Sequence, residues 1–250
     1  MRALLALGLM LWTAASQAAD DPPARWMLAV ASDRADGVAL VNGVPIHHFA
    51  KAGKADQAST SSLSLAPWLV NGRNVIEVRI VEVAAGGNVG AQFIKSEREF
   101  MEGKMQRVEA PQTLRFEAEA AGLPRWSFLD AAPMAGDEAG LRKAVADLHA
   151  AVAKRDVKAM VAARKPFFDD LSQIYGAPPP DMEQQLAADL KRSKLAPLPA
   201  KLTVSTAHDG KVAIVETATG EAPIRAEAKD GRMELGKYWA KLGGKWLIVR

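Results

Sequence analysis

The chain has 250 residues, 49% of them hydrophobic, with 32 Lys and Arg against 29 Asp and Glu, a formal net charge of +3 at pH 7 and no cysteine. That length and apolar content suffice for a full core and make two domains the default expectation. The missing cysteines exclude disulfides, thiolate metal sites, cysteine nucleophiles and a lipidated cysteine, and the interspersed charges, with no basic run among aromatics, exclude a nucleic-acid surface.

Met1 and Arg2 lead into an apolar run from Ala3 to Ala15, followed by small residues at Ser16, Ala18 and Ala19. This predicts a cleavable secretory signal peptide over residues 1–19. The run is shorter than the ~20 residues of a membrane span, and Asp20, Asp21, Pro22 and Pro23 follow at once, so stable membrane insertion is not expected. A cysteine-free exported chain predicts a periplasmic location.

Residues 24–120 read as an antiparallel β-sandwich. The expected strands are Trp26–Ala31, Val38–Val41, Val44–Phe49, Ser61–Leu65, Val75–Val83, Ala91–Ile94 and Leu114–Ala118. Asn42-Gly43 predicts a two-residue hairpin turn with positive φ at both positions, and Pro45 places the return strand near an edge. Asn71-Gly72 predicts a second sharp turn. Gly86-Gly87-Asn88-Val89-Gly90 lacks the Lys and Ser or Thr of a phosphate cradle and is read as a mobile loop. His47 and His48 would point to opposite faces of one strand and do not make a metal pair.

The segment Val41-Asn42-Gly43-Val44, followed by the run from Leu65 to Val78 that contains Pro67-Trp68-Leu69 and Asn71-Gly72-Arg73-Asn74, resembles the galactose-binding-like jelly rolls that accompany many glycosidases. The resemblance implies the fold and leaves carbohydrate as a ligand option, because the family's sugar-binding residues lie in variable loops. Trp68 sits where a core plug is expected, and an exposed face of its ring would suit stacking on a sugar or peptide.

Residues 121–136, with Ala131-Ala132-Pro133-Met134-Ala135-Gly136, have the composition of a linker. Over residues 137–250 the pattern is α+β. Asp137 is expected to cap a helix with the stripe Leu141, Val145, Leu148 and Val152, and Asp156 a second helix that stops at Pro166. A third piece carries Phe167, Phe168, Leu171 and Ile174. Pro178-Pro179-Pro180 forces a break, and Asp181 with Gln184 caps a fourth helix. The period then turns strand-like over Leu202–Thr206, Val212–Thr217, Ile224–Ala228, Met233–Leu242 and Lys245–Arg250. Gly243-Gly244 is expected to set Trp239 opposite Ile248 and Tyr238 opposite Val249.

The helical run Ala150–Met160 and the ending Lys241–Arg250, with its Gly-Lys-Trp-x-Ile strand, resemble the NTF2-like or SnoaL-like superfamily. That resemblance implies helices packed on a curved antiparallel sheet, a cone with a pocket, and pairing into a homodimer as an option. In such a cone Tyr238, Trp239 and His149 would be the residues to meet a ligand, and together with Trp68 they are the candidate binding residues. No catalytic set converges: Asp169 and Asp170 diverge by ~100° on a helical turn, and His208 belongs to the turn His208-Asp209-Gly210. No metal or organic cofactor is implied. The sequence therefore predicts a non-catalytic periplasmic protein that recognises another protein or a small ligand through the sandwich, the cone pocket or the interdomain groove. The alternatives are an immunity or inhibitor protein against a toxic periplasmic enzyme, and an NTF2-like small-molecule isomerase or hydrolase.

Overall fold

The computed structural model describes residues 25–49, 58–97, 100–102, 105–175, 182–228 and 231–250. The signal peptide, the Pro178–Pro180 break and the Asp181 cap lie outside the described residues. The chain divides into two compact units, with the break between Trp126 and Ser127. Every strand pairing among the described residues is antiparallel.

The first unit is one seven-stranded sheet. Its strands are β1 (Arg25–Val41), β2 (Val44–Phe49), β3 (Ser59–Ser64), β4 (Gly72–Glu97), β5 (Phe100–Glu102), β6 (Gln106–Val108) and β7 (Thr113–Ala120). β1 and β4 pair along nearly their whole length; β2 and β3 flank β1, while β5, β6 and β7 flank β4. The Asn42-Gly43 turn has φ of 50° and 81°, as the hairpin demands. Segments expected as separate strands are thus continuous. The glycine-rich stretch read as a loop belongs to β4, with Asn88, Val89 and Gly90 opposite Asp33, Ser32 and Ala31.

The bend that such long strands need is made by register shifts between Asp33 and Ala35 and between Asp36 and Gly37. Arg34 takes φ 50° there and donates from its guanidinium to the Gly86 carbonyl. A Cβ on Gly87 would lie 2.7 Å from the Asp33 carbonyl oxygen, so a side chain has no room where the backbones approach. One face carries the core: Leu28, Val30, Ala39 and Val41 of β1, Ile76, Val78 and Ile80 of β4, and Leu114 and Ala118 of β7, joined by Leu65 and Leu69 on either side of a short 3₁₀ turn, Ala66–Trp68. Each fully buried Leu or Val contributes about 1.5–3 kcal/mol relative to exposure. Arg73, Glu77, Arg79, Arg115 and Glu117 lie on the opposite, wet face, in the alternation the sequence shows.

The second unit opens with a 3₁₀ turn (Ser127–Asp130) and continues with α1 (Glu138–Ala153), α2 (Val157–Ala163), α3 (Lys165–Tyr175) and α4 (Met182–Arg192). Asp137 and Asp156 cap α1 and α2, accepting from the Gly140 and Ala159 amides at 3.2 and 3.0 Å. The stripe Leu141, Val145, Leu148 and Val152 is buried. The second helix, expected to run to Pro166, ends at Ala163, and Pro166 sits in the first turn of α3, where its missing N–H has no intrahelical partner to lose.

The strands that follow are β8 (Lys194–Leu195), β9 (Thr203–Ala207), β10 (Val212–Glu216), β11 (Ile224–Ala228), β12 (Gly231–Leu235), β13 (Tyr238–Leu242) and β14 (Lys245–Ile248). They form two ladders, β14-β13-β10-β9 and β12-β11-β8, rather than one curved sheet. The expected strand Met233–Leu242 is broken at Gly236, whose φ of 74° hands the chain from one ladder to the other. The Gly243-Gly244 hairpin places Trp239 opposite Ile248, and the Val249 amide donates to the Tyr238 carbonyl at 3.1 Å.

Candidate functional site

Tyr238 and Trp239 are neighbours on β13, so strand alternation sends them to opposite faces. Trp239 is 1% exposed and lies in the core with Leu141, Val145 and Leu148, its indole N–H donating to the Gly236 carbonyl at 2.6 Å. Tyr238 is 8% exposed. Burial, with the Glu216 and Glu234 carboxylates adding to it, pushes the phenol well above its ordinary value. At neutral pH the phenol keeps its proton and is suited to donating a hydrogen bond, not to acting as a base. Lys237 lies 5.6 Å from the Tyr238 ring centroid, within cation–π reach, and 3.1 Å from Glu216. It also donates to the Gly220 carbonyl at 2.6 Å.

His149 stands one step off the apolar stripe of α1. Its Nε2 is 3.0 Å from the Ala196 carbonyl, so that nitrogen carries the proton and ties the helix to the segment after β8. Trp68, in the first unit, is partly buried and packs against the core there; its amide donates to the Leu65 carbonyl at 2.8 Å. His47 and His48 lie opposite Ala39 and Val38, on opposite faces of β2. The candidate residues are therefore held one by one by packing and backbone bonds.

Three polar clusters are more densely built. In the first unit Asn74 is fully buried. Its amide makes all four hydrogen bonds available to it: the oxygen accepts from Asn42 Nδ2 and the Val70 amide, and the nitrogen donates to the Val70 and Gly72 carbonyls, each at 2.8 Å. Asn42 Oδ1 in turn accepts from the Val75 amide, and Asn71 exchanges two bonds with the Leu123 backbone. The asparagines of the turn motif thus fasten the Trp68 loop to the sheet.

In the second unit Asp170 is 1% exposed. One carboxylate oxygen accepts from the Ser127 amide at 3.0 Å; the other accepts from the Ser127 hydroxyl at 3.0 Å and from Arg250 Nη1 at 2.6 Å. The Arg250 guanidinium lies 5.1 Å from the centroid of the Phe128 ring, and the His208 ring lies 4.7 Å from it. Burial and the Arg250 charge hold His208 below the ordinary histidine range. Sequence reading missed this cluster, yet it carried a signal: Asp170 sits three residues after Phe167 and beside Leu171, inside an apolar stripe where a charge needs a partner. At the start of α1, Asp137 accepts from Lys241 Nζ at 2.6 Å and Trp246 Nε1 at 3.0 Å, and these bonds hold its carboxyl below the usual range.

A cavity of about 160 Å³ lies among Val152, Arg155, Leu190, Ser193, Leu195 and Ala226, and neither Tyr238 nor His149 is among its lining residues. Among the described residues no three His, Asp or Glu side chains gather as a metal-binding group, and no helix is long and apolar enough to cross a membrane. No protein-family model, curated protein or solved structure matches the chain.

Proposed function

We propose that this is an exported, periplasmic, non-catalytic binding protein whose first unit recognises another protein. We also infer that the first unit is a galactose-binding-like sandwich and the second an NTF2-like domain. The Asn42 and Asn74 bonds beneath the Pro67-Trp68-Leu69 loop support the first assignment, and the order of helices before antiparallel strands supports the second.

The observation that carries the binding reading is the wet face of β4 and β7. Arg73 pairs with Glu117 at 2.6 Å and Arg79 with Glu77 at 2.7 Å, while Arg115 stands 3.7 Å from both Glu77 and Glu117. Beside this ladder Val81 is 70% exposed, a large apolar side chain left in water. A sheet face with an apolar residue next to mixed charges offers desolvation at its centre and orientation at its rim. The polar side chains a catalytic reading would draw on are meanwhile engaged in holding backbone and neighbouring elements.

The test is a pull-down from periplasmic extract with the tagged protein and with a Val81→Asp, Arg79→Glu double variant. A single stoichiometric partner, kept through a salt wash by the parent and lost by the variant, is the expected result. Equal retention by both, or no partner at all, would overturn the reading and direct attention to a small ligand by native mass spectrometry.

A further inference from the structure

We propose that the Ser127–Asp130 turn is held by a proton-operated latch, in which protonation of His208 opens the stack on Phe128 and frees the turn from α3 and from the His208–Lys211 turn that precedes β10. The turn is seated by few but specific contacts. Ser127 gives its amide and hydroxyl to Asp170, Lys211 Nζ donates to the Leu129 carbonyl at 2.7 Å, and Phe128, 2% exposed, is flanked by the His208 ring and the Arg250 guanidinium. The chain just beyond is fixed by the Ala132 amide on the Lys241 carbonyl and the Met134 amide on the Gly210 carbonyl. His208 belongs to the same tight turn as Gly210, with a left-handed backbone of φ 50° at His208 and 56° at Asp209, and its ring lies against Phe128.

The charges around the imidazole set the direction. Arg250 and Lys211 are positive and oppose a proton on His208; Asp209 is negative and favours it. Asp170 on α3 is bonded to Arg250 and Ser127, and Asp130 is exposed at the far end of the turn. Burial against Phe128 adds to the opposition. A group that resists its proton in the closed state binds it more readily in the open state, so the closed state is fully favoured above the ordinary histidine pKa of about 6.5 and loses that advantage as pH falls below it. The turn follows directly on the break between the two units, so opening it adds residues 127–130 to the chain segment that joins them.

Hydrogen–deuterium exchange of the purified protein at two pH values, corrected for intrinsic rates, tests this. Protection of amides 127–134 is expected to fall between about pH 7.5 and 5.5, by up to roughly tenfold per unit of difference between the open- and closed-state pKa values. Protection in α1 is expected to stay level, and His208→Gln to remove the difference. A parallel loss in α1, or a His208→Gln protein that keeps the pH response, would overturn the latch. If that variant does not fold, an NMR titration of His208 in the parent decides: a pKa below the ordinary value supports the latch, and one at or above it overturns it.

Discussion

Asn74 in the first unit and Asp170 in the second are both sealed from water, and each ties loops to a sheet or helix, but they do so with different chemistry. The asparagine network is neutral and complete, each amide hydrogen and lone pair meeting a backbone or asparagine partner. The aspartate network is ionic, and it recruits Arg250 from 80 residues further along the chain. Neutral networks gain about 0.5–1.5 kcal/mol per bond and are indifferent to pH near neutrality. A buried ion pair offsets a large desolvation cost, so it contributes little beyond a well-packed apolar pair while making the loss of either partner severe. The ion pair itself keeps its charges near neutrality; what makes the second unit register a fall in pH is His208 beside it, held below the ordinary histidine range by burial and by Arg250.

The largest loss is expected from Asp170→Ala, which leaves Arg250 charged and buried. It is expected to cost the second unit about 3–5 kcal/mol in urea unfolding followed by exchange. The double variant Asp170→Leu, Arg250→Met should recover most of that loss. Asn74→Leu is expected to cost the first unit about 3 kcal/mol, because the Val70 amide and carbonyl and the Gly72 carbonyl lose their partner, with the same cost across neutral pH. A smaller effect follows from titration of the parent. His208, held low by burial and Arg250, withdraws stability from the second unit as pH falls below about 6.5. Asp137 and Glu117, both held low by their cationic partners, withdraw theirs only at more acid pH, as they are protonated. Calorimetry with each unit tracked separately should show the second softening first. Smallest of all, Arg115→Ala on the wet ladder should change stability by less than about 0.5 kcal/mol, since its side chain is exposed and both its ion pairs are long.

Much of the secondary structure was legible because the signals are local. The alternation in Val75–Val83, the Asn42-Gly43 and Gly243-Gly244 turns, and the caps Asp137 and Asp156 each act within a few residues. The continuity of β1 and β4 was not legible, because residues 32–37 and 84–90 are polar or glycine-rich, and a ladder stretch held by backbone bonds and bulges needs no apolar period there. Gly236 hid a strand break inside an apolar-looking run for the converse reason: a positive φ leaves no trace in hydrophobicity. At the candidate site, choosing residues by aromatic or titratable type led to Tyr238, Trp239, His149 and Trp68, each of which the fold engages in packing or a backbone bond. Asp170 announced itself by its place in an apolar stripe, but Arg250 could not be named as its partner without the fold.

The pairing of the two long strands also has a meaning in time. Arg25 meets Ser96 and Val41 meets Ile76, so the central ribbon of the first unit cannot close until stretches separated by tens of residues have found one another. Chains dominated by such distant pairings fold in milliseconds to seconds, whereas sequence-local helices form orders of magnitude faster. The neighbouring helices α1 and α2 should thus be in place while β1 still waits for the end of β4, with its apolar face open to any strand that arrives first.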